Sequence, residues 1–73
     1  MSFDYSKLKG RILEKCGTKA DFAKLMGATE QTISLRLNNK RTWKQNDILK
    51  ACQILDIAAE DVPVYFFTLI VQK

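Results

Sequence analysis

Five side chains in one short stretch of this 73-residue chain have the right chemistry to read a nucleic-acid base edge. Gln31 can bond adenine through two hydrogen bonds, and Leu35, four residues on, can pack its apolar side chain on a thymine methyl. Glu30 can accept from a cytosine amino group, or it can simply be an acid favoured at a helix N-terminus. Thr32 and Ser34 flank them on the same outward side. A second set, Lys19, Asn38, Lys40 and Arg41, suits phosphate oxygens, contacts that give affinity and register without reading sequence. Lys19 would stand in the first turn of a helix, where a cation is ill-placed unless an anion docks there; the plain alternative is a solvated lysine.

These groups are useful only if two helices hold them. Phe22, Ala23 and Met26 are spaced as one buried stripe, and Ile33 and Leu37 as another. Between them Gly27 can take the left-handed turn that ends a helix, and Thr29 can cap the next one. Thr18, followed by Asp21, resembles a capping box for the first of the pair. Residues 18–38 therefore read as a helix-turn-helix, with the second helix running from about Glu30 to Asn38. Placed at 100° per residue, Leu35 falls almost opposite the core, and Arg36 falls on the flank, suited to a backbone contact or an internal ion pair. Asn39 can serve as a left-handed residue after that helix. The polar connector from Asn38 to Thr42 could grip a sugar-phosphate backbone, its amides included.

Elsewhere the pattern is helical. Tyr5, Leu8, Ile12 and Cys16, broadened by Leu13, mark a first helix from about Asp4 to Cys16, capped by Asp4 or Ser6 and ended by Gly17. Thr42 to Gln45 has the form of a capping box opening a fourth helix to about Leu55, with Ile48, Leu49, Cys52 and Leu55 as its stripe. Trp43 reads as an anchor closing the core rather than a base-stacking platform. Ile57 should pack inward. Ala59 to Pro63 looks like the opening of a short fifth helix to about Phe67, followed by an extended tail, although residues 64–71 also have strand-like composition. The segment from about 59 to 73 holds more apolar surface than so small a monomer can bury. That marks Phe66, Phe67, Leu69 and Ile70 as a dimer interface; the alternative is a tail lying back over the first helix.

Composition narrows the function. Ten Lys and Arg between Lys7 and Lys44 face only Glu14, Asp21 and Glu30, a net +7, whereas Gln45 to Gln72 carries a net −3. Such asymmetry is the footprint of a polyanion-binding half, or chance clustering on a solvated surface. With no His, few acids and two thiols at helix-core spacing, no nucleophile–base set or metal site is expected. Cys16 and Cys52 read as reduced, buried thiols of a cytoplasmic protein, with one disulfide as the alternative. No cofactor, small-molecule ligand or membrane span is expected; Pro63 breaks an apolar run already too short to cross a bilayer.

Thr18 through Thr42 resembles the helix-turn-helix of phage Cro-like and repressor domains, the XRE-type group, through Ala23, Gly27, Thr29, Gln31, Ile33, Ser34, Asn38 and Lys40. YSKLKGRILEKCGT before it, and WKQNDILKACQIL with YFFT after it, look like one set of small Cro-like phage regulators, so the likeness covers nearly the whole chain. The resemblance implies an all-α, five-helix, lambda-repressor-like domain spanning residues 1–73. It also implies a homodimer, formed in solution or only on DNA, that binds a near-palindromic double-stranded operator and represses by occlusion. By position it puts base reading on Glu30, Gln31 and Leu35, flanked by Thr32 and Ser34, and phosphate contact on Lys19, Asn38, Lys40 and Arg41. Two departures stand out. Asn39 replaces a common Gly, and Ile12 with Leu37 replaces an internal Arg–Glu pair seen in several relatives, an exchange that suits a buried position. The rival reading is a protein–protein module of the same fold, such as an antitoxin.

Overall fold

A computed structural model describes residues 2–70. Helices α1 (Ser6–Cys16), α2 (Lys19–Met26), α3 (Glu30–Leu37) and α4 (Gln45–Leu55) are followed by a 3-10 turn, Ala59–Asp61, and by α5 (Val62–Phe66). The expected all-α, five-helix architecture is therefore observed. α2 and α3 are joined as the residue types require. The Thr18 hydroxyl accepts from the Asp21 amide at 3.0 Å, and Gly27 is left-handed at φ 71°. The Thr29 hydroxyl then accepts from the Thr32 amide at 3.1 Å.

The core is continuous. Tyr5, Leu8 and Ile12 of the first segment meet Phe22, Ala23, Met26, Ile33, Leu37, Ala51, Leu55, Ile57 and Phe66. Trp43 closes one side, edge-on to both Tyr5 and Phe66, which makes it the expected anchor. Ile12 and Leu37 are both buried, an apolar pair within the core. Cys16 and Cys52 are free, half-buried thiols. Burial pushes both up from the usual thiol value, and the Asp21 carboxylate adds to the effect at Cys16, so neither is an activated nucleophile.

Several expectations are corrected. α1 starts at Ser6, and Asp4 supports it from just outside by accepting from the Ser6 amide at 2.9 Å. The Ser6 hydroxyl and amide together hold the Asp4 carboxyl below its ordinary value. Thr42 caps nothing: α4 opens at Gln45 with Lys44 at the cap and no side-chain bond. Leu13 and Leu49 lie on the solvent side of their helices, and small Ala51 takes the inward place on α4, because α4 packs closely against both α1 and α2. Beyond α5 the tail is extended, but it runs antiparallel to the N-terminal segment instead of lying over α1. Phe3 bridges Leu69, and the Asp4 amide donates to the Thr68 carbonyl at 2.7 Å. Val71 lies outside the described residues.

Asn39 ties this pairing to the connector after α3. Its φ is 61°, and its side-chain amide accepts from the Phe3 N–H and donates to the Phe3 carbonyl, both at 2.9 Å. Replacing Asn39 by Ala removes both bonds and places a less tolerant residue at positive φ. We expect a loss of about 1–3 kcal/mol in chemical denaturation, whereas Asn39→Gly, which accepts the backbone angle, should lose less. Equal stability of all three proteins would contradict the clasp.

Candidate functional site

The outward face of α3 is built by Thr29 as cap and by Ile33 and Leu37 as buried anchors. Glu30 and Gln31 are exposed at its start. The other three expected base readers are more constrained. Thr32 is half-buried and its hydroxyl pairs with that of Thr29 at 2.9 Å. Ser34 is half-buried and accepts from Lys19 Nζ at 3.0 Å. Leu35 is half-buried rather than fully outward, and the connector folds back on its backbone, with the Lys40 and Arg41 amides donating to its carbonyl at 2.8 and 3.2 Å.

The same folding changes the phosphate set. Lys40 and Arg41 project exposed side chains, and Asn38 is exposed with its side-chain NH2 group donating to the Ser34 carbonyl at 2.9 Å. The amides of residues 38–41 are all spent on carbonyls of α3, which leaves the side chains of these four residues as their groups open to an anion. Lys19 does reach the α3 face, but it is half-buried against Ser34. Arg36 is an internal partner: Nη2 meets Asp47 Oδ2 at 3.1 Å, the side chain is 13% exposed, and its guanidinium lies 5.6 Å from the centre of the Trp43 ring. α3 therefore presents no free cation of its own.

A different surface is strongly apolar. Trp43, Gln45, Ile48, Leu49, Val62 and Phe67 line an open groove of about 400 Å³ between α4 and α5. Leu49 is 57% exposed there, and Phe67, Leu69, Ile70 and Val64 extend the apolar surface along the tail. Phe67 is steadied by Phe3, whose ring meets it edge-on at 5.9 Å. Of the expected interface residues, Phe66 is corrected: it is 1% exposed, sits edge-on to Trp43 at 5.2 Å, and belongs to the core.

Sequence reasoning missed two features. One is Leu49, assigned to the core because 48, 49, 52 and 55 fit a helical stripe. The other is Arg11, whose Nε and Nη2 donate to the carbonyls of Leu55 and Asp56 at 2.8 and 2.9 Å. This is a cation at the C-terminal end of a helix dipole, and nothing local in sequence marks so distant a pairing. Among the described residues no group of acids and thiols could hold a metal ion, and no helix is long and apolar enough to cross a membrane.

The fold is shared with a phage regulator. The solution structure of the modulator of repression (MOR) of the temperate bacteriophage TP901-1 from Lactococcus lactis is 53% identical, with a TM-score of 0.82 over 99% of this chain and 97% of that one. No curated protein matches. A family model described as "Protein of unknown function (DUF739)" matches residues 1–69. Nearly the whole chain, from its N-terminal segment through the extended tail, thus falls within that model, and the protein belongs to the DUF739 family.

Proposed function

We propose that this protein is a regulator of a phage genetic switch, working in the bacterial cytoplasm, and that it acts by binding a partner protein of that switch, the repressor itself. The observation that carries this reading is the 53% identity, over almost all of both chains, to a protein whose name is modulator of repression. The surfaces support it. Of the five side chains suited to base reading, only Glu30 and Gln31 are exposed and the other three are half-buried, and one of the exposed pair is an acid that a phosphate-lined groove repels. The groove at Trp43, Leu49 and Phe67 supplies the large apolar and aromatic anchors on which protein interfaces depend.

A second reading is direct operator binding by a homodimer with α3 helices in successive major grooves, roughly 34 Å apart. Exposed Gln31 at the start of α3, with the exposed Lys40 and Arg41 beyond its end, favours it. Both readings are tested with the repressor of the same phage switch and a duplex carrying its operator. We expect size-exclusion chromatography to show a complex with the repressor. In gel shifts this protein alone should leave the operator unbound at micromolar concentration, yet alter the shift given by the repressor. A sequence-specific shift by this protein alone, with no repressor complex, would establish the second reading instead.

A further inference from the structure

A smaller cleft lies where α1, the start of α2 and the end of α3 meet. It measures about 240 Å³ and is lined by Lys9, Ile12, Leu13, Lys19, Leu37 and Asn38. Ile12 and Leu37 are buried and give it an apolar base, while Leu13, 60% exposed, remains open to solvent. Lys9 and Lys19 border it, and the ion pairs among the described residues, Arg11–Glu14 and Arg36–Asp47, involve neither. Among the described residues the side-chain partner of Lys19 is the neutral Ser34 hydroxyl. Neither core packing nor base reading accounts for a large apolar side chain left open beside two ammonium groups that form no ion pair among the described residues.

We propose that this cleft is a separate docking site for an acidic, apolar segment of a partner protein. A Leu or Phe anchor would sit against Ile12, Leu13 and Leu37, with neighbouring Asp or Glu carboxylates meeting Lys9 and Lys19. The inference rests on the partner-binding reading but concerns a surface that shares no lining residue with the α4–α5 groove. Size favours a segment over a free small molecule. Ligand pockets typically span about 300–1,000 Å³, and the cleft is below that range, enough for one anchoring side chain. Charge sets the flanks, since the cleft lies within the stretch from Lys7 to Lys44 that carries a net +7. Opposite charge at such a rim speeds encounter and suppresses wrong partners. Because Lys19 borders both the cleft and α3, an acidic segment held here would also compete with any nucleic-acid backbone for that cation.

The test is a 15N NMR titration of the whole protein with the peptide EEDLFEE and its lysine counterpart KKKLFKK. The acidic peptide should shift the amides of Lys9, Leu13, Lys19 and Asn38 saturably, and the lysine peptide should not. Leu13→Gln, a change at an exposed position that leaves the rest of the spectrum in place, should weaken peptide binding at least about fivefold, as should Lys9→Gln. Raising salt from about 0.05 to 0.3 M should weaken it further. Shifts absent from the cleft, or equal for both peptides, would overturn the proposal. So would octanoate alone reproducing them, which would make the cleft a site for small amphipathic anions. If the repressor complex forms while the cleft stays silent, this inference fails and the partner-binding reading stands; if no repressor complex forms, that reading fails whatever the peptide does.

Discussion

Phe66→Ala should leave the protein largely unfolded at room temperature. The ring is 1% exposed and sits edge-on to Trp43 among core residues drawn from α1, α2, α3 and α4. Truncating a buried Phe typically costs about 3–5 kcal/mol, the lost transfer energy plus the cavity left behind. A core in a chain of fewer than about 80 residues rarely supplies more than about 3–5 kcal/mol in total. The loss is therefore comparable with the whole stability, which separates this role from an interface role. If Phe66 were held at a surface between two copies, the Ala variant would stay folded and lose only self-association. Far-UV circular dichroism with urea titration distinguishes the two, and a cooperative transition close to wild type would return Phe66 to the surface.

The contrast between Phe66 and its neighbour Phe67 shows how far the sequence could be read. Helical periodicity located the first four helices, the acids and Pro63 after Ala59 marked the opening of the fifth, and the hydroxyl caps at Thr18 and Thr29 with the left-handed Gly27 fixed the α2–α3 turn almost to the residue. These features are local, decided by hydrogen bonds and backbone angles within a few positions. Which side of a stripe faces inward is decided by neighbours far along the chain. Leu13 and Leu49 extend their stripes plausibly on a wheel, yet close packing of α4 against α1 and α2 leaves room there for Ala51 and not for Leu49. The α3 face shows the same limit. A wheel places Leu35 outward, but it cannot show the connector returning to bond the Leu35 carbonyl and spending the amides expected to meet phosphates. Arg36 was legible as a flank residue with an internal partner, though not that the partner would be Asp47. Asn39 was legible as a left-handed residue, and its grip on Phe3 was not, because 36 positions separate them.

Leu49→Asp and Gln31→Ala should have opposite consequences, and together they separate the two surfaces. Leu49 is exposed in the free protein, so replacing it leaves no cavity, and substitutions at such positions usually change stability by no more than about 0.5 kcal/mol. In a complex seated on the α4–α5 groove the same residue would be desolvated beside Trp43, Ile48 and Phe67. An Asp there would bury an unpaired carboxylate, on top of losing an apolar anchor of the kind worth about 2 kcal/mol or more at an interface centre. We therefore expect repressor binding to fall by at least about thirtyfold by calorimetry, with an unchanged thermal midpoint. Gln31→Ala should leave that binding intact. If α3 read an operator instead, Gln31→Ala would weaken binding to it by about 1–3 kcal/mol while sparing random DNA, and Leu49→Asp would have no effect at the bases. A repressor complex sensitive to Gln31 and indifferent to Leu49 would move the protein contact from the α4–α5 groove to the α3 face. The groove is favoured because binding there desolvates mostly carbon, whereas a partner on α3 must first desolvate the Glu30 carboxylate and the Gln31 amide, neither of which has a side-chain partner among the described residues.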